Sequence, residues 1–136
     1  MKIYKLSNNQ KIVSFDFDNT IYILDCDPNQ GFYVYDDSDT NHDFPLGHIN
    51  HSIVSIINQY NSNGWKCICV TSRNEEDKKQ VQQVIKDNNL PITEIYCTNG
   101  QDKVFKLKEL GVSKHYDDSY NEIQMLKRTD IIGIQV

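Results

Sequence analysis

Two rhythms of apolar residues alternate along the chain. Short runs rich in β-branched and aromatic residues read as strands: KIVSFDF at 11–17, WKCICV at 65–70, EIYC at 94–97, KHY at 114–116 and IIGIQV at 131–136. Between them the apolar positions fall at helical spacing. Ile49, Ile53, Ile56, Ile57 and Tyr60 form one such stripe, and Val81, Val84 and Ile85 form another within 75–88. Shorter helices are predicted over 103–110 and 121–128. Asn63-Gly64 and Gly111 supply stop signals, and Pro91 stands beyond the end of the second helix. Strand followed by helix, repeated, predicts an α/β fold: a mostly parallel sheet with helices on both faces and right-handed crossovers.

One stretch breaks the alternation. Positions 21–48 separate the first strand from its helix, far beyond the roughly two to six residues usual for such a connection. IYIL, a turn-rich DCDPNQG and FYVY predict a β-hairpin rising from the first strand, followed by an acidic loop. The insertion reads as a lid; the bland alternative is a surface decoration. Tyr33 and Tyr35 either stack on a base or sugar or cover the hairpin's own apolar side. Asp36, Asp37 and Asp39 follow no predicted strand and read as solvated surface.

The length of 136 residues fits a single domain, 1–136, large enough for a real core. A net charge of −5 and a pI near 5.2 argue against broad contact with polynucleotide phosphates and favour a small molecule over nucleic acid as partner, without excluding a local basic strip or a bound cation. No apolar window is long enough to span a bilayer, and MKIYKLSNNQ lacks a signal-peptide core, so the expectation is a cytoplasmic protein without membrane contact. Cys67 and Cys69 share one strand face, but a zinc site would need a second pair. Cys26, Cys67, Cys69 and Cys97 therefore read as free thiols, mostly buried. His42, His48 and His51 lack ligand spacing, and His115 reads as a packed strand residue.

Charge gathers where the predicted strands end. Asp16, Asp18 and Thr20 follow the first strand, Thr71, Ser72 and Arg73 the second, and Asp117, Asp118 and Ser119 the fourth, with Lys103 opening the preceding helix. Ligands of open α/β sheets bind beyond these carboxyl ends. Carboxylates converging there need a counter-charge, and a hard divalent cation such as Mg²⁺ supplies it. Lys103, Arg73 and Thr71 would then face an anion, which is the layout of phosphoryl transfer.

These segments carry a family resemblance. DFDNT resembles the DxDxT first motif of haloacid-dehalogenase-like (HAD) phosphatases, CICVTSR the second, Lys103 in QDKVFKLKELGV the third, and HYDDS the fourth. All four occur in order over most of the chain. The resemblance implies a Rossmann-like three-layer sandwich with strand order 3-2-1-4-5, a flap after the first strand and a minimal cap. It implies Asp16 as nucleophile, Asp18 as general acid/base and Lys103, with Lys106 as the neighbouring alternative, as the lysine beside them. It implies Thr71 as a phosphate holder, and Mg²⁺ held by Asp16, the Asp18 backbone carbonyl, Asp118 directly, and Asp117 through water or alongside. Ser72-Arg73 is similar to a Ser/Gly-Arg step in the phosphatase domain of phage polynucleotide kinases, which implies substrate contact. Nucleotides, sugar phosphates and polynucleotide 3′-phosphates stay open as substrates. The rival readings are a non-catalytic metal- or phosphate-binding module and a receiver-like signalling domain.

Overall fold

The computed structural model describes residues 10–25 and 45–136. The FYVY half of the expected hairpin, Tyr33, Tyr35, the Asp36/Asp37/Asp39 group, His42 and Cys26 lie outside the described residues.

Five strands form one parallel sheet: β1 (Ile12–Phe15), β4 (Lys66–Thr71), β5 (Glu94–Cys97), β6 (Lys114–Asp117) and β7 (Ile132–Gln135). The spatial order is β5-β4-β1-β6-β7, with parallel pairing throughout. This is the expected 3-2-1-4-5 order. The chain builds leftward from β1 to β5, then returns to place β6 on the other side of β1. The order therefore reverses between β1 and β6, which opens a crevice beyond their carboxyl ends.

Side-chain alternation sorts β1 onto two layers. Val13, Phe15 and Phe17 enter one layer with Cys67 and Cys69, under α1 (His51–Ser62) and α2 (Lys78–Asp87) through Ile53, Ile57, Val81 and Ile85. Ser14 and Asp16 point to the other. There Ile68 and Val70 meet Leu107 of α3 (Val104–Leu110) and Leu126 of α4 (Tyr120–Leu126). The site is thus built on the α3/α4 side of the sheet. Gly111 ends α3 at a left-handed φ of 73°, where a β-carbon would be strained.

The helix predicted from Ile49 begins later. Ile49 belongs to β3 (Gly47–Ile49), which pairs antiparallel with β2 (Tyr22–Leu24). Asn50 caps α1, its side chain accepting from the Ser52 N–H at 3.2 Å, so the helix starts only at His51. Ile49 fits the helical stripe by spacing, but a cap between it and Ile53 overrides the period. The described partner of the IYIL segment is therefore Gly47–Ile49, a stretch that reads in the sequence as loop and helix start.

The β2–β3 ribbon is fastened at its base. Asn50 donates its backbone N–H to Ile21 O at 2.9 Å and its side-chain amide to Thr20 O at 3.1 Å. At the far end the Asp25 N–H donates to Leu46 O at 2.9 Å. Gly47 is required by contact: a β-carbon there would run into Ile23 O and the Tyr22 ring. Gly47→Ala should therefore loosen the ribbon at a cost of about 1–3 kcal/mol. Amide exchange at Asp25 should accelerate by roughly tenfold or more, while the Asp16 amide, bonded to Tyr116 O within the main sheet, keeps its rate. Wild-type exchange at Asp25 in the variant would show that the ribbon tolerates a side chain at this position.

Candidate active site

The crevice between β1 and β6 opens into a cavity of about 430 Å³ lined by Asp16, Asp18, Ser72, Arg73, Lys103, Asp117, Asp118 and Glu122, among others. A larger groove of about 640 Å³ lies between α2 and the β5 edge. Among its lining residues Glu94 is the one carboxylate, so size does not mark the chemistry here.

Lys103 is the hub. It is 3 % exposed, and its Nζ donates to Asp16 Oδ1 and to Asp117 Oδ2, both at 2.7 Å. Burial alone would lower its pKa, but the two carboxylates outweigh that and hold it well above the ordinary lysine value. Lys106 instead pairs with Glu109 at 3.2 Å. Of the two lysines, Lys103 is the one on the carboxylates.

Asp16 and Asp117 differ in how many donors reach them. Asp16 receives Lys103 and the Thr20 hydroxyl, at 3.2 Å. Burial pushes its pKa well up, Lys103 opposes, and Asp117 and Asp118 push it up further. Asp117 receives Lys103, His115 Nε2 at 2.8 Å and the Ser119 N–H at 3.0 Å. Burial would raise its pKa too, yet His115 and Lys103 prevail and hold it far below the usual carboxylate range. Desolvation prevails at Asp16, and the greater number of donors prevails over it at Asp117, so the two shift in opposite directions.

One carboxylate oxygen from each of Asp16, Asp117 and Asp118 lies within 4.8 Å of the others, and Asp118 is the most open of the three. An all-oxygen donor set of this kind suits Mg²⁺. The Asp18 carboxylate is not part of this trio. Arg73 grips it with two bonds, Nε to Oδ2 at 2.8 Å and Nη2 to Oδ1 at 2.7 Å, and Arg73 also lies over the Phe17 ring. The sequence placed Arg73 toward a substrate; here its guanidinium rests on Asp18. Thr71 is fully buried at the end of β4, and its hydroxyl accepts the Arg73 N–H at 3.2 Å. Ser72 lies exposed on the cavity wall.

The turn carrying Asp18 explains the residue that follows it. Asn19 has a φ of 61°, a left-handed conformation that asparagine tolerates better than most residues. Its side-chain oxygen accepts the Leu24 N–H at 3.1 Å, which ties the turn to the ribbon.

Five residues of the site have no site role assigned in the sequence. Thr20 is visible there within DFDNT, but its contact with Asp16 is not. Ser119 and Glu122 have the spacing of a capping box. Ser119 caps α4, accepting the Glu122 N–H at 3.3 Å, but the Ser119 N–H goes to Asp117. The Glu122 carboxylate instead accepts the Lys103 N–H, 3.3 Å from each oxygen, and so anchors the hub residue. His115 looked like packing and is bonded to Asp117. Ser14 is the remaining signal: a polar residue inside an apolar strand, two before Asp16.

No protein-family model and no curated protein matches the chain. Solved structures do. A chain of the Pnkp1/Rnl/Hen1 complex superposes with a TM-score of 0.67 at 19 % identity, over 94 % of this chain and 46 % of that one. This chain thus spans less than half of that protein's length. A HAD family enzyme of Bacteroides thetaiotaomicron, an aspartate-to-alanine mutant in complex with magnesium and inorganic phosphate, matches at 0.55 and 8 % identity, over 93 % and 94 % of the two chains. The 3-deoxy-D-manno-octulosonate 8-phosphate phosphatase of Moraxella catarrhalis, in complex with magnesium, phosphate and KDO, matches at 0.52 and 17 % identity, over 95 % and 69 %. At these identities the likeness is one of architecture, and that architecture is the Rossmann-like α/β fold of HAD phosphatases.

Proposed function

We propose that the protein is a Mg²⁺-dependent phosphatase that hydrolyses phosphate monoesters through an aspartyl-phosphate on Asp16. The observation that carries this reading is the Asp16 carboxylate at the β1 end, held by Lys103 at 2.7 Å and facing Asp117 and Asp118 in an open cavity. The fold shared with two enzymes whose structures contain magnesium and phosphate supports it.

Asp16, Asp117 and Asp118 set three carboxylates against one ammonium, which leaves an excess of negative charge. Asp16, Asp118 and the Asp18 backbone carbonyl would hold Mg²⁺ directly, with Asp117 acting through water or alongside, and the ion would neutralise charge on the carboxylates and the phosphoryl oxygens. Asp16 attacks phosphorus, a P–O bond forms, and the bond to the leaving oxygen breaks. Lys103 keeps Asp16 aimed and its charge balanced. Asp18 gives a proton to the leaving oxygen, then takes one from the water that attacks the aspartyl-phosphate, releasing inorganic phosphate and free Asp16. Arg73 now occupies Asp18. A substrate dianion competes for that guanidinium and releases the carboxyl for proton transfer. Ser72, exposed on the cavity wall beside Arg73, is placed to hold the phosphoryl oxygens, while Thr71 is fully buried at the same strand end and supports the turn by accepting the Arg73 N–H. The substrate is a nucleotide, a sugar phosphate or a polynucleotide 3′-phosphate. The likeness to a chain of an RNA repair complex favours the last, and the net charge of −5 favours a small molecule.

Asp16→Asn should abolish turnover of an aryl phosphate in Mg²⁺ while leaving the fold intact. Asp16 has a raised folded pKa, so its ionised form costs stability above that pKa, and the cost fades as pH falls towards the unfolded value. The variant should therefore melt higher than wild type at neutral pH, with the gap narrowing as the solution is acidified. Near-normal turnover would move the nucleophile elsewhere.

Asp18→Asn should still bind Mg²⁺ and accept phosphate from a substrate with a good leaving group, but lose turnover by about 10²- to 10⁴-fold. Mass spectrometry should find the phosphate adduct on the Asp16 peptide. Excess EDTA should silence wild type without unfolding it. Loss of Mg²⁺ binding in Asp18→Asn as severe as in Asp118→Ala would remove Asp18 from the acid/base role.

A further inference from the structure

Behind the carboxylates, on the side away from the cavity, runs a short buried chain of hydrogen bonds that the proposed chemistry does not use. Ser14 and His115 face each other across the β1–β6 ladder as register partners. The Ser14 hydroxyl lies 2.7 Å from His115 Nδ1, and His115 Nε2 lies 2.8 Å from Asp117 Oδ2. Ser14 and His115 are fully buried and Asp117 is 1 % exposed. The period of two sets the chain: Ser14 is two before Asp16 on β1, and His115 is two before Asp117 on β6.

The direction of these bonds follows from what each atom can do. Asp117 is an acceptor, so Nε2 must carry a proton to bond it. A neutral imidazole then has a bare Nδ1, which accepts from the Ser14 hydroxyl. The reverse tautomer would set the Nε2 lone pair against the carboxylate and leave the hydroxyl only the Lys114 carbonyl, at 3.5 Å. Asp117 Oδ2 therefore receives two donors, His115 from behind and Lys103 from the cavity side. Its Oδ1 takes the Ser119 N–H. The imidazole and that amide fix the carboxylate plane, and the plane fixes where Lys103 Nζ sits relative to Asp16.

We propose that Ser14 and His115 are positioning residues of this site: the hydroxyl fixes the imidazole as an Nε2–H donor, the imidazole fixes Asp117, and Asp117 holds Lys103 on Asp16. This rests on the phosphatase reading for its kinetic consequence and on the hydrogen-bond chain alone for its tautomer. Hydrogen-bond partners of this outer kind typically change activity or metal affinity by about 10- to 100-fold when removed.

The test uses Ser14→Ala, His115→Leu, His115→Gln and the double variant Ser14→Ala/His115→Leu, with wild type alongside. Glutamine can present a donor near the place of Nε2, and leucine cannot. His115→Leu should lower kcat on an aryl phosphate by about 10- to 100-fold with little change in KM, and His115→Gln should recover most of that loss. Ser14→Ala should lower kcat less. The double variant should be no worse than His115→Leu alone, because both act through one chain. The imidazole ¹⁵N shifts of wild type at neutral pH should show the Nε2–H tautomer, and Ser14→Ala should weaken that preference. A residue that merely fills the core would lower the melting temperature without splitting kcat from KM and without rescue by glutamine. If His115→Leu does not fold, Ser14→Ala and His115→Gln decide: wild-type kcat in the first, or no advantage for a polar side chain in the second, overturns the proposal. A wild type with no turnover on any phosphomonoester would overturn the phosphatase reading instead, while the tautomer measurement still judges the chain. A wild-type imidazole carrying its proton on Nδ1 overturns the proposal whatever the turnover.

Discussion

Everything at this end of the sheet depends on one buried ammonium between two carboxylates. Lys103 reaches from the start of α3 into the crevice where the strand order reverses, and there it meets Asp16 of β1 and Asp117 of β6. Taking three charges out of water is costly, and an arrangement like this survives only when each is paired and further bonded. The surroundings meet that condition. Thr20, His115 and Ser119 supply donors to the carboxylates, and Glu122 holds the backbone N–H of Lys103. Truncating Lys103 would strand the two carboxylates against each other, typically at about 3–5 kcal/mol. The same hydrogen bonds that keep the fold intact therefore also set the site geometry.

The two main carboxylates are not equivalent. Asp117 is saturated with donors and stays charged, which makes it a fixed counter-ion for Lys103. Asp16 has fewer donors and sits nearest the electrostatic strain. A carboxylate that is crowded by negative neighbours gains most from a cation or an electrophile. Asp18 is held apart from this tension by the Arg73 clamp, so the first motif splits its two aspartates between different partners.

Much of this was legible from the chain. The alternation of strand and helix gives the layers, and the motif order gives the sheet order and the convergence of Asp16, Lys103 and Asp117. The layers follow from periodicity and the gathered charge from chemistry at element ends, both local in sequence, whereas the sheet order is what the family resemblance implies. What stayed hidden depends on register between distant segments. Ser14 meets His115 across a hundred positions, and only the β1–β6 pairing puts them together. Ile49 was misread because its spacing satisfies a helix while Asn50 ends the strand before it. The spacing of Ser119 and Glu122 is that of a capping box, but only half of it forms: Ser119 accepts the Glu122 N–H, while the Glu122 carboxylate goes to the Lys103 N–H. Arg73 could be placed at the strand end from sequence, but which anion it holds could not.

The ribbon of β2 and β3 has a consequence for how this fold can change over evolutionary time. Both ends of the segment at 26–44 are brought together by the ribbon before that segment begins, at the Asp25–Leu46 bond. Closing a loop between ends that are already joined costs little more as the loop grows, on the order of 0.6 kcal/mol for each doubling of its length. Insertions and deletions there leave Asp16, Asp18 and the turn at Asn19 in register, because the ribbon absorbs them. The length of the segment at 26–44 and the charge balance at the strand ends can therefore vary independently of one another.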